Sequence, residues 1–525
     1  MTQTSEDPAV HGAPPGAAPP RPSWSDRLLD AVVRHRWIVL IPLVLPADKV
    51  FSFVRSAHAA CRRVLRRRVA HDTRVARLQA EVRQRSRGGS LCTGAKEWQS
   101  VSMSREHFYK DAAQPVRIDL DAVLGLDARR RVVRVEPGVT VGRLVRHLVR
   151  RGWTLPVVPE LEALTVGGLA MGFGIETSSH RHGLFTDIVE SYDVLLGTGE
   201  VVRASATENS DLFRALPWSR GSLGFVVAAE LRVVPARPWV EVRYHPVSDV
   251  GGMCRDLVRL AGAADGPAFV EGFVYGPAEG VVVTGEFTDR PASRRNRACR
   301  WYKPWFYAHA HNRARAGGGV ECLPLRHYYH RHSRSLFWAA ELLVPFGNHP
   351  LFRLLLGWLM RPSVAFLKLT ETREMRRRYG RHVVGQEALV PARHLEGIVR
   401  ACHEIFEVDK LWICPATLTR TDPPGLVGPE PGAAAGERQL FMDVAVVYDV
   451  PGPVRRGEPW DPKAATRRFE AWVAEHHGYE APYVLSGLTR EEYRAMYDCS
   501  LYDRVRRAYG AEGVFVDAYD KTSSC

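Results

Sequence analysis

A glycine-rich stretch at residues 165–180 restricts the fold of this chain more than any other segment. Four glycines stand within eight residues, at positions 167, 168, 172 and 174. Glycine leaves the backbone amides uncovered, and uncovered amides can approach a pyrophosphate closely and cradle it. The spacing matches neither GxxxxGK[ST] nor a GxGxxG after a first strand, which disfavours a Walker-type nucleotide hydrolase. On glycine content alone, an ordinary turn without a ligand explains the stretch equally well.

The residues around this stretch alternate short strands with turns and helices. An alternating strand at 131–135 leads to Thr140, which can N-cap a helix whose apolar residues recur at helical spacing between 141 and 148. After the stretch come a strand at 191–196 and a Gly-Thr-Gly turn at 197–199. This alternation of short strands, turns and helices indicates a domain that contains both helices and strands.

Seven pieces of sequence follow one another in an order that is typical of one family. They are the Gly turn at 92–96, Glu136-Pro-Gly-Val-Thr140, Thr165-Val-Gly-Gly168, the segment 183–189, the strand and turn that end at Gly199, Asn209-Ser-Asp-Leu-Phe213, and Gly221-Ser-Leu-Gly-Phe-Val226. This order resembles the flavin-binding domain of the vanillyl-alcohol-oxidase family, of the PCMH type. Later segments are similar to the Δ24-sterol reductase branch of that family, among them 302–306, 324–332, 344–348 and 490–498.

The resemblance implies an α+β protein with a PCMH-type two-subdomain FAD-binding fold and an inserted α+β substrate (cap) domain. We predict five parts along the sequence: a disordered Pro/Ala-rich tail at 1–23, a membrane-associating apolar segment and basic helix at 24–89, the FAD-binding domain at 90–238, the cap domain at 239–438, and a C-terminal segment at 439–525 that completes the site.

The same resemblance implies bound FAD, with NADPH as the hydride source. Many relatives attach the flavin covalently through a His in or near the early Gly turn, but Cys92–Lys96 contains no His, so we expect non-covalent FAD. We expect the glycine-rich stretch to hold the pyrophosphate, with the hydroxyl of Ser178 as an added donor. The predicted cofactor-binding residues are Thr93, Gly94, Thr165, Val166, Gly167, Gly168, Leu169, Ala170, Met171, Gly172, Phe173, Gly174, Ile175, Glu176, Thr177, Gly221, Leu223, Gly224 and Val226.

The implied reaction reduces an isolated double bond of the Δ24 type, located in the side chain of a sterol or related isoprenoid. Such an alkene has no carbonyl to accept charge, so hydride attack needs a proton delivered to the less substituted carbon. Aromatic faces can then stabilise the tertiary cation character. The predicted catalytic residues are Glu176, His180, Tyr328, His330 and Tyr483, with His327, Tyr329, His332 and Asp498 as further acid candidates. The predicted aromatic wall comprises Trp301, Trp305, Phe306, Phe337 and Trp338.

Each of these Tyr and His residues is alternatively part of a structural network, and the Trp and Phe residues are alternatively plain core. His330 and His332 do not stand at a standard ligand spacing from Glu321 and Cys322, so no metal site is expected.

The N-terminal segment has an apolar piece and a basic piece. The apolar run at 37–46 is shorter than the roughly 20 residues a spanning helix needs, and Asp48 and Lys49 interrupt its continuation. Residues 55–89 carry eleven Arg and two acids, so this stretch holds +9 of the protein's net charge of +14. An apolar hairpin followed by a basic amphipathic helix over 55–87 suits an anionic membrane surface. A single span, or a helix docked on the body, is the alternative.

We therefore expect a membrane-associated protein on the cytoplasmic face, with a sterol or isoprenoid substrate. The remaining 490 residues carry only +5, so a nucleic-acid partner is not expected, and the oligomeric state stays open. One competing hypothesis is an FAD-dependent oxidase that oxidises an alcohol or sugar with oxygen. Another is a non-catalytic membrane or scaffold protein that kept the fold.

Overall fold

The computed structural model of the protein describes residues 35–66, 69–85, 89–94, 110, 113–360, 363, 366–368 and 380–522. Two sequence predictions fall outside the described residues, namely the tail at 1–23 and the Ala95-Lys96 end of the early Gly turn.

Strands form most of the framework. They are β1 Leu91–Thr93, β2 Gln114–Val116, β3 Val123–Asp127, β4 Val132–Val135, β5 Trp153–Thr154, β6 Val189–Leu195, β7 Val201–Ser205, β8 Phe225–Arg232, β9 Val234–Pro235, β10 Trp239–Val247, β11 Phe269–Gly276, β12 Glu279–Thr288, β13 Arg294–Arg295, β14 Gly319–Pro324, β15 Val384–Pro391, β16 Leu411–Thr419, β17 Arg438–Asp449 and β18 Tyr479–Glu480.

Helices connect and cover these strands. The first, α1, runs continuously through Trp37–Val39, a π-helical turn at Leu40–Val44, and Leu45–Arg66. The others are α2 His71–Arg85, α3 Val141–Val149, α4 Val166–Ala170, α5 Ser179–His182, α6 Ser210–Ala215, α7 Val250–Gly262, α8 Phe306–Arg315, α9 Leu325–Tyr329, α10 Pro350–Leu356, α11 Leu395–Phe406, α12 Gly452–Arg456, α13 Pro462–Glu475, α14 Arg490–Met496 and α15 Ser500–Ala508.

Two large sheets organise the molecule. The smaller has five strands in the order β3-β4-β8-β6-β7 and is antiparallel throughout. The larger has nine strands in the order β13-β14-β10-β12-β11-β16-β17-β15-β18, and it is antiparallel except between β13 and β14. Strands β6, β7 and β8 of the five-stranded sheet follow the glycine-rich stretch in sequence. The amide of Val270 on β11 donates to the carbonyl of Thr177 at 2.8 Å, so the nine-stranded sheet contacts the same stretch.

The helix after Thr140 forms as the sequence predicts. Val141, Leu144, Val145 and Leu148 lie on one face of α3 and are all buried, because their spacing matches the 3.6-residue period of a helix. Thr140 occupies the N-cap position, but its side chain makes no capping hydrogen bond.

The two faces of the nine-stranded sheet pack against different layers. On β17, Met442, Val444 and Val446 join the core under α11 and α13. The alternate residues Phe441 and Ala445 join the core that also contains residues of the five-stranded sheet domain. Because successive strand residues point to opposite faces, one face of the sheet is covered by helices and the other faces the glycine-rich stretch.

The C-terminal segment packs against the first residues of the domain that contains the five-stranded sheet. The amide of Leu91 donates to the carbonyl of Val514 at 2.6 Å. Tyr502 on α15 donates to the hydroxyl of Ser222 at 2.6 Å, and Arg506 donates to the Ser222 carbonyl at 2.7 Å. The end of the polypeptide therefore supports the turn at 219–224.

The N-terminal segment differs from the predicted hairpin and single basic helix. Pro42 lies in the π-helical turn of α1. A proline inside a helix lacks an N–H and its ring clashes with the preceding turn, and here the π-helical turn accommodates it without ending the helix. The prediction of a hairpin at the apolar run is therefore wrong. The basic stretch divides between the end of α1 and α2, so a single helix over 55–87 is also wrong.

Helix α2 packs on the domain that follows it. Val75, Leu78 and Val82 are buried in a cluster with residues of β1, β2 and β8. Arg74 donates to Glu136 with both guanidinium nitrogens, at 2.5 and 3.0 Å, and His71 bonds the same carboxylate at 2.7 Å. By its packing, α2 belongs with the five-stranded sheet domain, although the sequence predicts that this domain begins at residue 90.

Candidate active site

The glycine-rich stretch begins at Thr165 and lies against the turn at 136–139. The amide of Val166 donates to the carbonyl of Val139 at 2.9 Å, and the amide of Gly167 donates to the carbonyl of Pro137 at 2.8 Å. A Cβ on Gly167 would lie 2.6 Å from the ring of Pro137. Gly167 is therefore required by the close packing of two turns.

The other glycines of the stretch differ in their surroundings. A Cβ on Gly172 would lie 2.5 Å from the carbonyl oxygen of Gly168, and one on Gly174 would lie 2.8 Å from the side chain of Leu169. At Gly168 the nearest atom would be the hydroxyl oxygen of Thr165, at 3.3 Å. Gly168 is also exposed, so it is the glycine of this stretch whose backbone stays open to a ligand.

A second open glycine lies in the neighbouring turn. Gly221 has φ of +71°, and the nearest atoms to an added Cβ would be 3.8 Å away, at the carbonyl oxygen of Gly224 and the side chain of Met171. The amide of Arg220 donates to the carbonyl of Met171 at 2.7 Å, which ties the two turns together. The carbonyls of Arg220 and Gly221 accept from the ammonium group of Lys521, at 3.1 and 3.0 Å. It is therefore the amide side of the two turns that suits a pyrophosphate and fits the phosphate-bearing part of FAD.

Not all predicted cofactor residues share this open position. Leu223 and Val226 are buried in the core with their side chains among apolar neighbours. Gly224 is surrounded by Val194 and the backbone of Leu195, which leaves no room for a Cβ. At Gly94, a Cβ would lie 3.2 Å from the carbonyl oxygen of Val116. Cofactor contact by these residues stays a prediction.

An aromatic wall leads from the glycine-rich stretch to the C-terminal part of the protein. The rings of Phe173 and Trp218 have centroids 5.2 Å apart, and Phe173 and Tyr483 are 6.0 Å apart. Trp218 continues the wall to Tyr497 at 6.2 Å and to Tyr479 at 6.4 Å. The sequence prediction of the wall named other residues, of which Trp301 lies at the surface instead.

Glu176, one of the predicted catalytic acids, lies in a buried network of ion pairs. Arg331 donates to Glu176 and to Glu271, each at 2.9 Å, and all three side chains are buried. Trp412 donates its indole N–H to Glu271 at 2.9 Å. Burial opposes ionisation of Glu271, but Arg331 and His332 outweigh it and hold its pKa at about 2. Burial raises the pKa of Glu176 above its ordinary value, against the attraction of Arg331.

Three of the other predicted acids are held by local bonds. His180 donates from Nε2 to the carbonyl of Pro267 at 2.9 Å, and burial lowers its pKa to about 4. Burial also lowers the pKa of His330 to about 4. The Tyr328 hydroxyl lies 2.9 Å from the hydroxyl of Thr177. At pH 7 both imidazoles are neutral, so neither histidine carries the extra proton of an imidazolium acid.

Tyr483 is the predicted acid whose hydroxyl group bonds a partner that can carry a proton. The residue as a whole is 39% exposed, but its hydroxyl group is buried, and so is the bonded Glu387. The phenol donates to Oε1 of Glu387 at 2.5 Å. Burial and nearby carboxyl groups raise the pKa of Tyr483 well above its usual range.

Two acidic residues behind Tyr483 were missed by the sequence analysis. Cys414 pairs with Asp443, and Asp443 pairs with Leu389, two residues after Glu387 on the same face of the sheet. Burial raises the pKa of Glu387 to about 7 and the pKa of Asp443 well above its usual range. The signal in the sequence was an acid flanked by apolar residues, Glu387 within β15 and Asp443 within β17.

A third carboxyl group belongs to the same neighbourhood. Burial and the charge of Glu176 raise the pKa of Glu160 to about 8. The carbonyl of Glu160 accepts from Ser333 at 2.8 Å, which joins the glycine-rich side of the site to the segment after α9. The arrangement thus gathers several carboxyl groups with raised pKa values near one phenol.

The glycine-rich stretch lies inside a match to a known protein family. A family model described as an FAD binding domain matches residues 102–205. Delta(24)-sterol reductases from Homo sapiens and Macaca fascicularis are each 38% identical to this protein over 496 residues, which cover 93% of its length and 94% of the relative. The Delta(24)-sterol reductase from Arabidopsis thaliana is 37% identical over 529 residues, covering 96% of this protein and 94% of the relative.

The similarity extends through both sheet domains, so it is not limited to the flavin-binding part. A cytokinin dehydrogenase 1 from Oryza sativa subsp. japonica, in contrast, matches only 29% of this protein, at 34% identity. With identity above one third over nearly the full length, the chain belongs to the Delta(24)-sterol reductase family and contains its FAD-binding domain.

Proposed function

We propose that this protein is an FAD-dependent, NADPH-linked reductase that saturates the Δ24-type side-chain double bond of a sterol or related isoprenoid. The family relationship supports the substrate class, and the matched FAD-binding domain supports the cofactor. The observation that carries the mechanism is the position of Tyr483, next to Phe173 of the glycine-rich stretch and bonded to a buried carboxyl group.

The first task of the protein is to bind the cofactor and exclude water. The open backbone at Gly168 and Gly221 would hold the pyrophosphate of FAD. Phe173, Trp218 and Tyr483 would shape an apolar place for the sterol side chain. When bound, FAD supplies the hydride that it has received from NADPH. The early Gly turn holds no His, so we propose that the flavin is bound without a covalent link.

The second task is to deliver one proton to the less substituted alkene carbon. Tyr483 has a pKa far above 7, so leaving it as a free phenolate would be unfavourable. In the resting state Tyr483 keeps its proton and donates a hydrogen bond to Oε1 of Glu387. After Tyr483 has given its proton to the alkene, a protonated Glu387 can pass its own proton to the phenolate oxygen. The alkene gains a proton from Tyr483, Tyr483 regains one from the Glu387–Asp443 pair, and hydride completes the reduction.

This function is tested by following the flavin through its two half-reactions. Under anaerobic conditions NADPH should bleach the flavin, and a sterol with a Δ24 double bond should restore its colour. The same sterol with a saturated side chain should leave the flavin bleached. If NADPH fails to bleach the flavin, but an alcohol or sugar bleaches it and oxygen restores it, the protein is the competing oxidase.

Tyr483→Phe separates the proton step from cofactor binding. The variant should retain flavin and its reduction by NADPH, but reoxidation by the Δ24 sterol should slow by about 10²–10⁴-fold, the usual contribution of a positioned acid. Tyr479→Phe is the matched control, because Tyr479 lies in the same wall and donates to the carbonyl of Gly428 rather than to a carboxyl group. Equal slowing in both variants would remove Tyr483 from the role of acid.

We also propose that the protein attaches to the cytoplasmic face of a membrane. The described residues contain one helix, Trp37–Cys61, with the length and composition to cross a bilayer, at a mean hydropathy of 1.8. The adjoining basic stretch favours attraction to anionic lipid. Together with a water-insoluble substrate class, these features support membrane association.

A further inference from the structure

The exposed apolar side chains of the described residues are concentrated on one side of the molecule. Fourteen large apolar side chains are exposed among the described residues, and all but Tyr483 belong to α1 or to residues 301–358 of the cap domain. Those on α1 are Ile38, Val39, Leu43, Val50, Phe53 and Val54. Those on the cap domain are Trp301, Tyr302, Phe346, Leu351, Leu354, Leu355 and Trp358. Soluble surfaces usually scatter such residues singly, whereas a concentrated set marks an interaction site.

Contacts between α1 and the cap domain make the two sets neighbours. The ring of Trp37 meets that of Phe346 edge-on, with centroids 5.1 Å apart. Arg36 donates to the carbonyl of Leu342 and Lys49 donates to the carbonyl of Met360, each at 3.3 Å. The first half of α1 therefore lies along the segment that carries the cap-domain set.

The pair Trp301 and Tyr302 is held against the same segment. Arg353 donates to the carbonyl of Tyr302 at 3.1 Å. Gly357 approaches the carbonyl of Trp301 so closely that an added Cβ would lie 2.7 Å from it. Trp301 and Tyr302 thus border the helix that carries Leu351, Leu354 and Leu355, and the whole set forms one apolar face.

The polar residue Asp48 of α1 points away from this apolar face. Asp48 is 1% exposed, and its carboxylate accepts from the amide of Ser363 at 3.2 Å and from the hydroxyl of Ser52 at 3.3 Å. A helix that left the body to cross a bilayer would lose the bond to Ser363 and carry Asp48 into hydrocarbon. The charges that interrupt the apolar run in the sequence instead dock α1 sideways on the cap domain.

The cap-domain segments that carry the apolar face, or directly precede it in sequence, contain basic residues and no acid. Residues 342–370 contain no Asp or Glu, and residues 294–303 contain five basic residues and no acid. Arg55 on α1 is exposed, with its guanidinium 5.5 Å from the ring centroid of Phe51. An apolar surface bordered by cations matches the chemistry of a bilayer leaflet with anionic headgroups.

We propose that the cap domain itself contacts the bilayer, with α1 and residues 301–302 and 346–358 lying together on one leaflet. This inference rests on the proposed membrane association and deepens it, since attachment then does not depend on α1 alone. Phe337 and Trp338, which pack near the inner face of the nine-stranded sheet, lie in sequence between the two cap-domain segments of this surface. A sterol can then pass from the leaflet to the cap domain without crossing water.

The test uses flotation of the full-length protein with vesicles of phosphatidylcholine and phosphatidylserine at low salt. Leu354→Glu/Leu355→Glu should lower the vesicle-bound fraction at least tenfold, and so should Val50→Glu/Phe53→Glu on α1. The control variant, Ala464→Glu/Ala471→Glu, adds the same charge at exposed positions of α13, outside the apolar face, and should float like the wild type. Flavin content and circular dichroism verify the fold of each variant.

The outcomes separate this inference from the proposal on which it rests. If the α1 variant detaches and the cap variant floats like the wild type, the cap domain does not touch lipid and the inference is overturned, while attachment through α1 stands. If the wild type never floats, membrane association itself fails. A dimer without vesicles that the cap substitutions dissociate, with flotation unchanged, would assign the apolar face to a second copy instead. Quenching of Trp358 by brominated lipid, lost in Trp358→Phe, would independently support the inference.

Discussion

Burial is the largest cause of the raised pKa values of Glu387 and Asp443. Neither carboxyl group forms an ion pair with a cation among the described residues, and the charge of Glu387 adds to burial in raising the pKa of Asp443. Glu271, on the same sheet, is by contrast paired with Arg331 and has its pKa held at about 2. Carboxyl groups in one core thus divide into an ionised set and a protonated set.

The protonated pair predicts the pH dependence of the alkene half-reaction. Because the pKa of Glu387 is raised to about 7, its proton is lost as pH rises through that value. Reoxidation of the reduced flavin by a Δ24 sterol should therefore slow above pH 7, and Glu387→Gln should slow it at every pH and remove the decline. Stopped-flow traces between pH 5 and 9 measure this, with flavin reduction by NADPH as the internal control. A wild-type rate that stays constant across the range would contradict the assignment.

The raised pKa of Glu387 also makes the free energy of unfolding depend on pH. The folded state keeps a proton that the unfolded polypeptide releases near its ordinary pKa, so this contribution is fully present below about pH 4 and is lost as pH rises through about 7. Glu271 acts in the opposite direction: its stabilisation is present above its unfolded pKa and is lost as pH falls towards 2. The two carboxyl groups therefore favour different ends of the pH range.

Substitutions at Gly168 and Gly174 should affect different properties of the protein, flavin binding in the first case and stability in the second. Gly168→Val should abolish flavin binding at a smaller cost to the stability of the flavin-free protein, because the added Cβ would meet only the hydroxyl oxygen of Thr165, at 3.3 Å, which must shift by a few tenths of an ångström. Gly174→Ala should destabilise the flavin-free protein by about 1–3 kcal/mol through overpacking against Leu169 and Phe185. Flavin content and urea unfolding of both variants check this. Full flavin occupancy in Gly168→Val would mean that the stretch does not hold the pyrophosphate.

At the scale of helices and strands, the sequence predicted those elements that are determined by residues close together in the sequence. Helix α3 was predicted correctly because helical spacing is a local signal. The continuous helix α1 was not predicted. The contacts to Met360 and Ser363 that support this helix come from residues more than 300 positions away in the sequence, so no local pattern indicates them. The acids on β15 and β17 meet only through strand pairing, so no local pattern joined them.

Helix α2 sets how far the N-terminus can be shortened. A protein lacking residues 1–68 should keep its flavin, whereas one lacking 1–89 should lose stability and aggregate. The longer deletion removes Val75, Leu78 and Val82 from the core, each worth about 1.5–3 kcal/mol when buried, and leaves Glu136 buried without Arg74. Flavin content and thermal melting of the two proteins measure this. Equal stability of both would show that α2 is dispensable.

At the scale of the whole molecule, the order of motifs predicted the family and the α+β class, while the site at the junction of the sheets needed the structure. Most of the acids predicted near the glycine-rich stretch or in the His cluster are held by backbone carbonyls or ion pairs. Tyr483 was among the predicted residues, but its role depends on Glu387, which lies on β15, 96 residues earlier in the sequence. The apolar face likewise combines segments about 250 residues or more apart in sequence.

The core between the two sheets has a consequence for engineering. It includes Val157 and Phe173 from one side and Phe441 and Ala445 from the other, in one continuous cluster. Neither half can be produced as a free-standing module without exposing that cluster to water. A chimera that grafts this cap onto a different flavoprotein must redesign both surfaces together, so new substrate ranges are more readily sought by changing residues inside the existing junction than by exchanging modules.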